Sequence, residues 1–463
     1  MIQFNIKHIT ILLITVVLAT NLKGQGTDSL NHYLEIAARN NPGLNADFLV
    51  YKASLEKVPQ AGVWPNPQLD IDFFLKPMDI VGGRQIADFT LMQMFPWFGT
   101  KKSAQTEATH MAKMSYEQFR ETRDNLYLEV YTQWYKLSSL KEQLKNNREN
   151  LKLLKQLEDL ALRRISTSFS GSSSDYTVPA PSPVAKNSNS SSSGSAMAEM
   201  GNTAPGMSDV LRVQLEMVEI ENNIESLLSD IAAEIAKFNA LLNRPVDIEV
   251  LIPDSITTVP FIFDERVSIS EIEMQNPMLG MLEEEEQAYR AKQDMDKKMS
   301  YPMFGIGLQY MLIGENKGAP MNLTMKPEMN GMDMIMPMFS ITLPIYRNKY
   351  RAQQRESRFM WQSAKEKYNN TLNLLQSDLF KLKQQLDNAE RKITLYQKQE
   401  QLVRVTYQLV VQEFVTAKSD LTNVIQVQRQ LLNYQLRKAE AIAEYNTMVV
   451  SIRKLGSFNT SNN

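Results

Sequence analysis

The chain has 463 residues, with 50 Lys and Arg against 52 Asp and Glu, so its formal net charge of -2 provides no general attraction to nucleic acid. Zero cysteines and three histidines (His8, His32, His110) exclude disulfides, thiolate metal sites and Cys/His nucleophile pairs. A mean hydropathy of -0.33 excludes a polytopic helical membrane protein, and with no Ser-His-Asp set, phosphate loop or paired-carboxylate site the chain reads as a non-enzyme without cofactors.

At the N-terminus, Lys7 and His8 precede the apolar run Ile9 to Ala19, followed by polar Thr20 to Gln25. This pattern reads as a secretory signal peptide over 1–25. It falls short of the roughly 20 apolar residues that span a bilayer, and no cysteine follows it for lipidation.

A first repeat is expected over 26–250. Asn41-Pro42 opens a helix that ends near Trp64-Pro65. A β-hairpin follows at about 67–95, with Leu69, Ile71, Phe73 and Leu75 alternating with Gln68, Asp70 and Asp72. Past Gly82-Gly83, Ala87, Phe89, Leu91 and Phe95 take one face, and Asp88, Thr90, Met92 and Met94 the other. No Gly or Pro interrupts the long helix expected over 101–165, where Leu137, Leu140, Leu144, Asn147, Leu151 and Leu154 keep the 3-4 spacing of a coiled-coil seam. At ~1.5 Å per residue that helix reaches roughly 100 Å, more than one globular core requires. Over 166–206 the composition changes: thirteen serines fall between Ser166 and Ser195. This segment reads as a disordered insertion at a helical turn, or alternatively as a domain linker. A return helix is expected over 207–243.

The second repeat, 251–463, has the same order. Asn276-Pro277 opens a helix over 276–300 that ends near Tyr301-Pro302. A hairpin over about 303–343 sets Phe304, Ile306, Leu308, Tyr310 and Leu312 against Met303, Gly305, Gly307, Gln309 and Met311, then Ile335, Pro337, Phe339, Ile341 and Leu343 against Met334, Met336, Met338, Ser340 and Thr342. A long helix (345–415) carries the seam Leu372, Leu375, Leu379, Leu382, Leu386, Ala389, Ile393 and Tyr396, and a return helix (420–455) opens on Val424-Ile425-Gln426-Val427-Gln428, matching Val210-Leu211-Arg212-Val213-Gln214. Each strand has about the ten tilted residues that cross a membrane. Four strands cannot close a barrel alone and lipid tolerates no open edge, so if these strands lie in a membrane several chains must share one barrel.

Taken together, the two Asn-Pro starts, Trp64-Pro65-Asn66-Pro67, Phe95-Pro96-Trp97-Phe98-Gly99, Ser208 to Gln214 and Leu241-Leu242-Asn243-Arg244-Pro245 resemble the outer membrane efflux protein family, the TolC-like exit ducts, across nearly the whole chain after the signal. The resemblance implies a mainly α fold with a membrane β-barrel portion. Three protomers would each give four strands to one 12-stranded barrel, continued by a periplasmic α-barrel of long coiled-coil helices. It implies a homotrimer in outer-membrane lipid that works with a periplasmic adaptor and an inner-membrane pump and binds no nucleic acid. It also places a periplasmic gate and adaptor tip at Ser208, Asp209, Arg212, Glu413, Asp420, Asn423 and Gln426. In drug-efflux members aspartates ring the entrance; here Asn423 and Gln426 stand at those positions, so the acidic ring does not carry over, with nearby Asp420 and Glu413 as the alternative acids.

If the Phe, Leu, Ile and Tyr rows meet lipid, the opposite rows face the lumen: the acids Asp70, Asp72 and Asp88, and Met92, Met94, Met303, Met311, Met334, Met336 and Met338. Fourteen of the 26 methionines lie between Met274 and Met338, with Met321, Met325, Met329 and Met332 in the intervening loop. Thioethers suit Cu(I) and Ag(I), and the resemblance extends to a heavy-metal branch (CusC- and CzcC-like). Methionine is equally a flexible apolar filler, and drug-like cargo is a third reading. A peptide or protein secretion duct and a soluble periplasmic coiled-coil scaffold are the alternative functions. Glu283 to Glu286 reads as a solvated helix face. Trp64, Trp97, Tyr301 and Tyr346 suit an aromatic girdle, or ordinary packing at the strand ends.

Overall fold

The computed structural model describes residues 30–80, 82–170, 207–315, 330–416 and 418–458. The signal peptide, positions 171–206 of the serine-rich segment, and Met321, Met325 and Met329 lie outside the described residues.

In chain order the elements are α1 (Leu30–Asn40), α2 (Pro42–Ala61), β1 (Gln68–Ile80), β2 (Gly83–Phe95), α3 (Thr100–Ser170), α4 (Met207–Leu241), α5 (Glu265–Gln275), α6 (Pro277–Met299), β3 (Met303–Gly314), β4 (Met334–Thr342), α7 (Arg347–Val415) and α8 (Leu421–Leu455). Helix α3 continues to Ser170, five residues into the serine-rich segment. Two compact units divide the chain, and α3 and α7 contribute to both.

The first unit comprises α1, the later part of α3, α4, the later part of α7, and α8. Its seam residues pack as their spacing requires: Leu137, Leu154, Leu379 and Ala389 are fully buried. One end of its core is aromatic, where Tyr33 meets Phe238 edge-on at 5.2 Å and Trp134 at 5.5 Å. The Leu-Leu-Asn-Arg-Pro run ends α4 for specific reasons. Asn243 takes a left-handed φ of 51° as the helix stop and donates from its side chain to Asn40 O at 3.1 Å. Arg244 reaches back to Asn239 Oδ1 at 2.6 Å, while the fully buried Asn239 amide holds Val246 O and Ile248 O.

The second unit holds α2, α5, α6, the early parts of α3 and α7, and the sheet. The sheet is antiparallel in the order β1-β2-β3-β4, which leaves β1 and β4 as edges. The β1–β2 turn uses Gly82 and Gly83 at φ of 111° and 140°, conformations that a side chain would strain. Strands β1 and β2 run 13 residues, longer than ten, because each contains a bulge: one between Phe73 and Met78, the other between Gln85 and Ala87.

The acid run on α6 is not simply a solvated face. Glu284 bonds His110 Nδ1 at 2.5 Å and Lys113 at 3.4 Å, Glu285 pairs with Lys367 at 3.1 Å, and Glu286 accepts from the Trp361 indole at 3.0 Å. The helical period puts these acids opposite basic or donor side chains on both α3 and α7, so the run ties α6 into its own unit.

Candidate functional site

Pairing register settles which strand residues share a face, because directly opposed residues point the same way. On one face the rows read Asp72–Asp88–Met311–Met334, then Asp70–Thr90–Gln309–Met336, then Gln68–Met92–Gly307–Met338. Met94–Gly305–Ser340 and Met303–Thr342 follow. All ten acids and methionines singled out in the strands therefore lie on one face. The other face carries Ile71–Phe89–Tyr310–Ile335, Leu69–Leu91–Leu308–Pro337 and Phe95–Phe304–Ile341.

The two faces differ in surroundings as well as chemistry. On the apolar face Phe73 is 70% and Phe339 81% exposed, unusual for rings in water. On the other face Met92, Met94, Met311, Met336 and Met338 are half-buried, Asp88 is buried, and Asp70 and Asp72 are exposed. Glycine makes this packing possible. A Cβ at Gly305 would stand 2.7 Å from Met94 Sδ and 3.2 Å from Met92 Sδ, and one at Gly307 would meet Met92 Cε at 2.9 Å. The β2 thioethers thus lie over bare β3 backbone.

Where the strands meet the helices, Trp97 stacks on Tyr301 at 5.0 Å and Trp64 meets Phe95 edge-on at 5.2 Å. The Lys101 ammonium sits 3.3 Å from the centre of the Trp64 ring. Tyr346 stands 79% exposed. Three of the four aromatics are thus packed at the strand ends while keeping part of their rings outward.

The ends of α3 and α7 and the starts of α4 and α8 come together in the first unit over a buried cluster that includes Leu157, Val210, Val213, Phe414, Leu421 and Val424. Arg164 donates to Phe414 O at 2.9 Å and lies 4.8 Å from that ring, and Arg212 donates to Thr422 Oγ1 at 2.6 Å. Burial pushes the Asp209 carboxyl up, and the nearby Asp420 charge adds to this against Arg212 and Arg164. Asn423 reaches Ser419 Oγ at 3.4 Å, and the Glu413 carbonyl accepts from Lys418 N at 2.8 Å. Ser208, Glu413 and Gln426 are exposed. The sequence does not single out Arg164 or Thr422; only their meeting at this tip reveals them.

Neither a protein-family model nor a curated protein sequence matches the chain. Solved structures do. VceC, an outer membrane protein of Vibrio cholerae, is 13% identical with a TM-score of 0.67 over 92% of this chain and 96% of that one. The outer-membrane channel OprN is 14% identical, with a TM-score of 0.68 over 93% and 91% of the two chains. CusC, whose structures describe transmembrane channel formation, is 12% identical, with a TM-score of 0.69 over 93% and 92%. Agreement over nine-tenths of both chains at such low identity is agreement of architecture: the chain has the mainly helical, four-stranded fold of the TolC-like outer-membrane efflux channels.

Proposed function

We propose that the protein is a non-enzymatic efflux duct of the outer membrane, with its helices extending into the periplasm. The observation that carries this reading is the sheet: an exposed apolar face of membrane-spanning length, joined to two strand edges without partners. Pairing β1 of one copy with β4 of the next closes three four-stranded sheets into a 12-stranded barrel. A threefold ring also covers the apolar stripes left open on the helices of the first unit, Met207, Leu211, Leu215 and Val218 on α4 and Leu402, Val405 and Leu409 on α7. An adaptor and an inner-membrane pump complete the route, and the tip around Arg212 and Phe414 forms the gate where they dock.

The methionine-bearing face favours soft cargo, Cu(I) or Ag(I), because seven thioethers line the lumen side of each copy and weak thioether contacts exchange readily. The histidine shortage disfavours a Zn, Co or Ni preference built into the duct.

Purified protein reconstituted into planar bilayers tests the duct. Trimers with low, gated conductance are expected; a monomer that stays soluble without detergent and forms no channel would overturn the reading. For cargo, a deletion strain free of redundant ducts should lose copper and silver tolerance before zinc, bile-salt or dye tolerance.

A further inference from the structure

The lumen rows are not equivalent. Asp72, Asp88, Met311 and Met334 stand in direct register across all four strands, and this is the row in which a carboxylate is paired with a thioether on the adjacent strand, Asp88 with Met311. Asp88 is only 7% exposed. Its Oδ2 accepts a hydrogen bond from Gln309 Nε2, while its Oδ1, closed off from solvent, has no hydrogen-bond partner. A buried carboxylate oxygen left in this way costs on the order of 1–3 kcal/mol. Asp72 stands directly opposite, where like charges repel across a strand pair. None of the residues in register with the pair on this face is basic. A cation seated against Asp88 Oδ1 removes both penalties.

The donors present select the ion. Among the described residues no three His, Cys, Asp or Glu side chains come together to hold a metal. The six to eight oxygens that Ca2+ requires are therefore not assembled here. Two carboxylates beside two thioethers suit a soft ion content with few ligands. We propose that this row binds a soft monovalent cation, Ag(I) or Cu(I), through Asp88 Oδ1 and the Met311 sulfur, with Asp72 and Met334 completing the shell. The proposal deepens the duct reading, on which access of passing solute to the row rests. It assigns capture to one row and leaves the glycine-seated Met92 and Met94 as packing.

Titrating silver nitrate into the purified full chain in chloride-free buffer tests the site whether or not the protein conducts. The tightest silver site should weaken at least tenfold in D88N and in M311L, and D70N, one row away, should leave it unchanged. Both tested changes nearly preserve side-chain volume, and circular dichroism of each variant confirms that it folds. Unchanged affinity in D88N, an equal loss in D70N, or displacement of silver by calcium nitrate would each overturn the proposal. Failure of the duct reading shows separately, as absence of channels in bilayers with the wild-type chain.

Discussion

The side-chain amide of Asn276 donates to the carbonyl of Leu455 at 2.9 Å, so the residue that starts α6 also closes the end of α8. Its Oδ1 meanwhile accepts from Met278 N and Leu279 N, capping its own helix. The first repeat makes the matching donation: Asn41 gives its side-chain N–H to Leu241 O, the last residue of α4, at 3.1 Å. Asn276 is therefore a clasp between the start of α6 and the Leu455 carbonyl, and Asn41 is likewise tied to the Leu241 carbonyl. Asn276→Ala should lose a cap worth ~1 kcal/mol and strand a buried carbonyl at a further ~1–3 kcal/mol. Asn276→Asp should recover the cap portion alone. Denaturant unfolding of the three proteins reads the difference, and equal stability of Ala and wild type would refute the clasp.

Much of the sheet is legible in the sequence because a period of two, sustained through Phe, Ile and Leu on one side and Asp and Met on the other, specifies a face without knowledge of any partner. The bulge after Gln85 is not legible, since Ile86 continues the apolar pattern; the one between Phe73 and Met78 does carry a mark, Pro77, but a lone proline does not say how many residues the register slips. The pairing of Glu284, Glu285 and Glu286 is hidden for a different reason. Their partners His110, Lys113, Trp361 and Lys367 lie on other helices, and charge runs carry no information about distant helices. The Asn-Pro motifs show where helices begin, but not that their amides reach across to Leu241 and Leu455.

The two faces of the sheet should respond oppositely to charge. Arginine at the lipid face of a barrel costs ~2–4 kcal/mol near mid-membrane and far less in the lumen. Leu308→Arg should therefore block folding into lipid vesicles or lower the yield sharply. Met336→Arg, in the row that carries Asp70, should fold near wild-type efficiency. The shift of folded barrels on unheated gels measures both, and the reverse ranking would place lipid on the methionine face.

Acid should loosen the first unit through Glu234. Burial pushes this carboxyl up, but hydrogen bonds from Lys136, Gln133 and Lys237 outweigh it and hold it at about 2, below its ordinary 4.5. A depressed carboxylate stabilises the fold above its unfolded value, and that contribution fades as pH falls from 4.5 toward 2. It amounts to at most ~3 kcal/mol, less what solvent screens from the half-exposed lysines. Glu234→Gln should be less stable than wild type at pH 7, with a gap that narrows as pH falls below 4.5 and closes only below pH 2. A constant gap across that window would remove the ion pair from the account.

Gating should depend on Arg212 and Asp209 in opposite senses. The Arg212–Thr422 hydrogen bond joins the start of α4 to the start of α8, so Arg212→Ala removes a link that keeps the tip packed and should raise resting conductance several-fold. Asp209 acts the other way. Burial and the neighbouring Asp420 raise its carboxyl above 3.8, partly offset by Arg212 and Arg164. A raised acid makes the packed tip most stable when protonated, and that margin is lost as pH rises from 3.8 through the raised value. Resting conductance should therefore climb as pH rises across that interval, and Asp209→Asn should hold it low with a flattened pH profile. Bilayer recordings of both variants decide the matter: an Asp209→Asn channel that keeps the wild-type pH profile, or an Arg212→Ala channel no leakier than wild type, would move the gate away from this tip.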